Sequence, residues 1–329
     1  MKDGKIKIAV WNIYGPPPGK QFEKTAHKIK AFQDEVHPDI AFYLEAPERK
    51  IESLPGRNLN AMRAGKSKPE RKIESLPGVD PRCWKKTFWV GTGQQGNPRG
   101  ILVVCYDKDI RIEEERPKNP MGGTALGIRV YSDETELLRI LGVWTTPSQK
   151  SNSQTVYLET LEQIMSDYDK MKFFSSSPRD PVCIVVGDTN VNLLAAAKSE
   201  TEIKETRRCL INRTELLEND RGFAKKHSFS LYDDPPLNQN TLKKNGKWYR
   251  CDLLFVSDKD KIVSAELGNL TYTYKAELGN LTYTYKDEER KGYEEVVGSD
   301  HRPIIFEVSV ADRLSRTIDV SCRRLYFLP

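Results

Sequence analysis

The chain has 329 residues, 38% hydrophobic and 30% charged. That is enough apolar material for one large α/β domain or two ordinary ones. No apolar run reaches the ~18 residues of a membrane-spanning helix, so no membrane span is expected. The net charge of +5 mildly favours an anionic partner and falls far short of the basic stripe of a dedicated nucleic-acid binder.

In chain order, the first run of strand length is IKIAVW (6–11). A Gly/Pro loop follows, then Gln21–Val36 carries Phe22, Ala26, Ile29 and Phe32 at helical spacing. Strand runs come next at DIAFYLEA (39–46), GILVVCY (100–106), ALGIRVY (125–131) and LLRILGVW (137–144). A second helix is expected over Gln154–Met171, with Val156, Leu158, Leu161, Ile164, Met165 and Tyr168 as its apolar positions. PVCIVVGD (181–188) is a further strand, Ala195–Leu217 a polar helical candidate, and CDLLFVS (251–257) and PIIFEVSV (303–310) complete the set. Neighbouring strands such as 100–106, 125–131 and 137–144 argue for sheets with antiparallel pairing and helices outside, not for a simple doubly wound parallel sheet.

Two duplications stand out. PERKIESLPG occurs at 47–56 and 69–78, and AELGNLTYTYK at 265–275 and, in direct tandem, at 276–286. Solenoid repeats diverge and recur at least three times; these are identical pairs and read as local duplications. The second TYTYK is expected to lengthen a hairpin or loop, or to offer another register of the same edge strand. The six cysteines include no CxxC pair and have no histidine cluster nearby, which argues against zinc and against a disulfide framework. With no signal-peptide core in MKDGKIKIAVW, a reducing, cytoplasmic location is expected.

The chemistry concentrates where strands end. VVGDTNVN (185–192) runs three β-branched residues into Asp188 and Asn190, whose spacing of two puts both on one face of an extended segment. Taken alone, Gly-Asp and Asn-Val are ordinary turn residues. The first strand, however, ends in Asn12, the next in Glu45, and Asp252 sits inside an apolar run, where a carboxylate without a partner is costly. GSDHRPIIF then places Ser299, Asp300 and His301 just before the last strand. Five polar ends of this kind suggest one convergent cleft. His27, His37 and His227 share no motif and are assigned to surface or packing.

The segments VWNIYG (10–15), YLEAP (43–47), GDTNVN (187–192), TLKKNGKWYRCDLLFV (241–256) and GSDHRPI (298–304) together resemble the endonuclease/exonuclease/phosphatase superfamily, which includes abasic-site endonucleases, pancreatic deoxyribonuclease and inositol-phosphate phosphatases. GDxN with SDHRP is specific; either alone is weak. The resemblance covers roughly residues 5–310. It implies an α/β fold, a four-layered α/β sandwich of two packed mixed sheets with helices on both outer faces. The catalytic domain is then 1–310, and 311–329 is a C-terminal extension that lies beyond the family's final strand and to which the resemblance assigns no role. It implies Glu45 as the main Mg²⁺ carboxylate (Mn²⁺ as an alternative), Asn12 beside it and Asp300 completing the shell. Asp188 and Asn190 would orient the attacking water and hold a phosphate oxygen, with His301 as acid/base or phosphate contact and Asp252 as its orienting carboxylate. Chemistry alone asks for the same set, because phosphodiester hydrolysis needs a metal, a placed water and a proton-transfer group.

One position departs from the family. Where many members carry a histidine before GDxN, this chain reads RILGVWTTPS, at Trp144 or Thr145. Trp144 either packs under the site or stacks on a base, Thr145 or Thr146 is a hydroxyl donor to phosphate, and Arg99 is a candidate phosphate contact beside a solvated-loop reading. The expected function is a Mg²⁺-dependent phosphodiesterase, a metal-dependent phosphoric ester hydrolase acting on DNA or RNA. A phosphatase or phosphodiesterase of a small or lipid-derived phosphate is the first alternative, and a catalytically impaired binding homologue the second. The expected partner is nucleic acid, or else a small phosphate ester.

Overall fold

The structure, a computed structural model, describes residues 3–13, 22–47, 87–91, 99–117, 124–145, 154–174, 180–191, 229–232, 234, 237, 241–244, 247–276, 283–285, 288–290, 293–311 and 313. The helical candidate at 195–217, both PERKIESLPG copies beyond Pro47, and nearly all of 311–329 lie outside them.

Two mixed six-stranded sheets form the body. In chain order the first elements are β1 (Lys5–Asn12), α1 (Phe22–Val36), β2 (Ile40–Pro47), β3 (Thr87–Gly91), β4 (Arg99–Cys105), β5 (Arg111–Glu115), β6 (Thr124–Ser132), β7 (Thr135–Trp144), α2 (Gln154–Lys170) and β8 (Val182–Asp188). Then come β9 (Ser230–Leu231), β10 (Leu242–Lys244), β11 (Lys247–Tyr249), β12 (Asp252–Val256), β13 (Ile262–Leu267), β14 (Thr271–Ala276), β15 (Tyr283–Tyr285), β16 (Glu288–Arg290), β17 (Tyr293–Gly298) and β18 (Ile304–Ser309). The first sheet has the order β13-β18-β1-β2-β4-β3 and the second β5-β6-β7-β8-β12-β9.

Each sheet holds one parallel pair bridged by a helix: β1-α1-β2 in the first and β7-α2-β8 in the second. All other described pairings are antiparallel. The strand at 99–105 joins β2 and β3 in the first sheet, whereas β6 and β7 pair with each other in the second. Strands close in sequence therefore part between the sheets at β4.

The layers follow from side-chain alternation, since successive residues of a strand face opposite ways. Ile8 and Val10 of β1, Ile40 and Phe42 of β2, and Ile184 and Val186 of β8 face the core between the sheets. Ala9, Trp11, Ala41 and Tyr43 point outward and pack with Ile29 and Phe32 of α1. Leu141, Val143 and Val185 do the same on the far side, against Leu161, Ile164 and Met165 of α2. The result is the four-layered α/β sandwich. The sheets approach closely where Phe42 lies over Gly142, whose missing Cβ would sit 2.4 Å from the ring.

A two-stranded ribbon of β14 and β17 pairs Tyr272 with Val297. It buries Tyr272 against Trp11 and Phe32, with ring centroids 5.1 and 5.2 Å away. The second copy of the tandem repeat contributes β15, which pairs with β16 in a separate small hairpin between β14 and β17. Cys105, Cys183 and Cys251 are buried thiols. Among the described residues, no helix is long and apolar enough to cross a membrane.

Candidate active site

The strand directions bring the polar ends together. Because β1 and β2 are parallel, Asn12 and Leu44 stand side by side at their C-terminal ends, with Glu45 next along the chain. Because β7 and β8 are parallel, Trp144 and Asp188 do likewise. Antiparallel β12 sets its first residue, Asp252, opposite Asp188. Antiparallel β18 begins at Ile304 beside Val10, three residues after His301. Parallel strands commonly build sites at their carboxyl ends, and here each sheet contributes one such pair.

At this rim, two hydrogen bonds among the described residues cross from one sheet to the other. Asn12 Nδ2 donates to Asp188 Oδ2 at 2.9 Å, and His301 Nδ1 meets Asp252 Oδ2 at 2.9 Å. Asn12 Nδ2 also donates to Glu45 Oε1 at 3.1 Å, so one amide ties the Glu45 and Asp188 carboxylates together. Asp188 accepts twice more, from the Asn190 amide N–H at 2.9 Å and from Asn190 Nδ2 at 3.3 Å. Among the described residues, ligand atoms of Asp188, Asp252 and His301 lie within 4.8 Å of one another, and all three residues are buried.

The backbone is bent to aim these groups. Glu45 has φ 55° in a bulge of β2 between Tyr43 and Ala46, a left-handed conformation that costs a non-glycine residue about 1–2 kcal/mol. Bulges re-aim side chains next to active sites. Asn190 has φ 51°, which Asn tolerates better than most residues. Gly187 has φ +144°, and a Cβ there would lie 2.1 Å from the Val143 carbonyl. Only glycine lets β8 run this close to β7 one residue before Asp188.

Electrostatics separate the two buried partners. Burial is the main force pushing Asp188 up from the usual carboxylate value, to about 7; Asp252 and Glu45 add to it, and His301 and the Asn190 N–H oppose it. Burial alone would push the His301 imidazole down. The charge and hydrogen bond of Asp252, with Asp188 and Asp300 behind them, outweigh burial and raise it to about 10. At neutral pH His301 is thus an imidazolium, with both ring nitrogens as donors.

Asp300 is half-buried and keeps Oδ1 3.4 Å from the Ser299 hydroxyl. Arg99 Nη1 donates to Glu45 Oε2 at 2.5 Å. Trp144 is only 7% exposed and packs in the core between the sheets, so it lies beneath the site and presents no face to a base. The Thr145 hydroxyl donates to the Thr189 carbonyl, its N–H donates to Asp188 O at 3.0 Å, and its carbonyl accepts from Asn190 Nδ2 at 3.2 Å. Thr146 lies outside the described residues.

Three supporting residues escaped the sequence reading of roles. Thr241 Oγ1 accepts from the N–H groups of Cys251 and Asp252, at 3.3 and 3.2 Å, fixing the start of β12. Ser299 Oγ donates to the Asn12 carbonyl at 2.6 Å and accepts the His301 N–H at 3.2 Å. Trp11 Nε1 donates to the His301 carbonyl at 3.0 Å. Threonine and serine at these positions carry no periodic signal; only their place at the head of a matched segment marks them.

Solved structures similar to this chain include endonuclease/exonuclease/phosphatase family proteins. The endonuclease domain of TRAS1, a telomere-specific non-LTR retrotransposon, is 12% identical, with 93% of this chain and 99% of that chain covered and a TM-score of 0.49. A family protein from Leptotrichia buccalis is 12% identical, covering 92% of this chain and 99% of its own, at a TM-score of 0.49. Truncated Caenorhabditis elegans TDP2 is 14% identical, with 93% and 97% covered and a TM-score of 0.47. No protein-family model matches the chain, and no curated protein sequence does.

Proposed function

We propose that the chain is a divalent-metal-dependent phosphoric ester hydrolase whose substrate is a nucleic-acid phosphodiester, with residues 1–310 as its catalytic unit. The observation that carries this reading is the pair of cross-sheet hydrogen bonds, Asn12 to Asp188 and His301 to Asp252. They gather a carboxylate that titrates near neutral pH, an imidazolium and an amide at one rim.

The donor set fits a hard cation. Glu45 and Asn12 offer carboxylate and amide oxygens, and Asp300 adds a further carboxylate nearby. Few oxygen ligands suit Mg²⁺ or Mn²⁺, which retain water and share the substrate phosphate. When bound, such an ion supplies neutralisation of charge on the phosphoryl oxygens.

The side chains do the rest. Asp188, with a pKa pushed up to about 7, accepts a proton from the attacking water far better than an ordinary carboxylate would. Asn12 and Asn190 hold its oxygens in place, and Asn190 also contacts a phosphate oxygen. His301, fixed through Nδ1 by Asp252, directs its other N–H at the phosphoryl group. Thr241 and Ser299 position Asp252 and His301, and Trp144 and Thr145 support the Asp188 strand end from below.

A polyanion is favoured over a small ester by the net charge of +5 and by the β10–β11 hairpin, which carries Lys243, Lys244 and Lys247. The Lys243 N–H donates to the Asp300 carbonyl at 2.8 Å, so this hairpin abuts the site. The test is nicking of supercoiled plasmid with Mg²⁺ at several salt concentrations. The expected result is Mg²⁺-dependent nicking that falls steeply with salt as counterions are released. Hydrolysis of small phosphate esters only, with weak salt dependence, would overturn the nucleic-acid assignment. Silence on both substrate classes from folded protein would favour an impaired binding homologue.

A further inference from the structure

The Glu45 carboxylate already carries a cation. Arg99 Nη1 lies 2.5 Å from Glu45 Oε2, and the two side chains are only 16% and 12% exposed. The other oxygen, Oε1, accepts from Asn12. The backbone holds this pair in place. After the β2 bulge, strand pairing resumes at Ala46 with Gly100 and Pro47 with Arg99. A Cβ at Gly100 would lie 1.9 Å from the Val90 carbonyl, so β3 is pressed against β4 beside Arg99.

An ion at Glu45 has to share Oε2 with a guanidinium or displace it. In so enclosed a place two positive charges on one carboxylate repel strongly. A guanidinium released there has a natural acceptor in a phosphate, which it binds bidentately. Resting on the metal assignment of Glu45 above, we infer that Arg99 and the divalent ion compete for Glu45, and that a phosphodiester ends the competition by taking the guanidinium. Metal and substrate then strengthen each other's binding, and by linkage the coupling is reciprocal. The bare protein holds the metal weakly, and the productive complex holds both ligands.

The experiment is calorimetric titration with Mn²⁺, in the absence and presence of dimethyl phosphate, on the wild type, Arg99→Gln, Arg99→Lys and Glu45→Gln, each checked for an unchanged thermal transition. Arg99→Gln is expected to bind Mn²⁺ alone about tenfold more tightly than the wild type, within the ~5–150-fold span of such couplings. Dimethyl phosphate should tighten Mn²⁺ binding to the wild type and to Arg99→Lys, and leave Arg99→Gln unchanged. Equal or weaker Mn²⁺ binding by Arg99→Gln, or the same response to dimethyl phosphate in both proteins, would overturn the competition. Glu45→Gln is expected to lose Mn²⁺ binding. Retention of wild-type affinity by that variant would place the metal elsewhere and remove the premise itself.

Discussion

His301 is the residue whose surroundings make the sharpest demand. Its imidazole is buried against Asp252, with Asp188 close by, and it stays charged to about pH 10. A group whose pKa rises on folding stabilises the folded state below its unfolded value, and that contribution is lost as pH climbs through the folded value. For His301 the loss falls between about 6.5 and 10. Asp188, raised from 3.8 to about 7, loses its own contribution earlier, as pH rises through 7. Metal-free protein is therefore expected to become less stable toward alkaline pH, with one imidazole in its NMR spectrum titrating near 10. In Asp252→Asn, burial regains the upper hand, that imidazole titrates well below 10, and the alkaline part of the stability loss shrinks. An unchanged imidazole titration in Asp252→Asn would contradict the pairing. The residue types of this site were readable at the strand ends, because a carboxylate after a β-branched run is conspicuous. Their supports were not. Thr241 and Ser299 look like any loop hydroxyl, and nothing in YLEAP announces that Glu45 adopts φ 55°.

At the scale of elements, what could be read in the sequence depended on burial. β1, β2, β4, β6, β7, β8, β12 and β18 are runs of Val, Ile, Leu and Phe, since their inner faces line the core between the sheets. β5 (RIEEE) buries only Ile112 fully among exposed or half-exposed charges, and β13 (IVSAEL) buries only its two ends. Edge strands with one wet face carry little apolar signal, which is why both escaped. The tandem AELGNLTYTYK copies make an element-scale prediction. The first copy supplies Leu267 to the core and Tyr272 to the aromatic cluster, whereas the second contributes β15, one strand of the separate β15–β16 hairpin. Deleting 276–286 should therefore leave a folded protein whose melting temperature changes by no more than about 3 °C, the size expected for a surface change. Loss of cooperative unfolding in that deletion would show that the second copy carries part of the core.

For the molecule as a whole, the sandwich is what assembles the proposed site. Each sheet alone presents half of its residues: Asn12, Glu45 and His301 come with the first, Asp188, Asn190 and Asp252 with the second. Packing the sheets through core contacts such as Phe42 over Gly142 is what closes Asn12 onto Asp188 and His301 onto Asp252. The family resemblance made this architecture readable in advance, but not that β4 pairs back with β2 and β3 in the first sheet and is parted from β6 and β7, since strand pairing is a tertiary choice that local pattern does not encode. The most direct measurement is the rate of Mg²⁺-dependent cleavage of a phosphodiester by the wild type beside Asp188→Asn and His301→Gln, one variant from each half. Folded variants that each lose about 10²–10⁴ in rate, as expected for removal of a proton-transfer or charge-stabilising group, would agree with a shared site. Cleavage at the wild-type rate by either variant would contradict it.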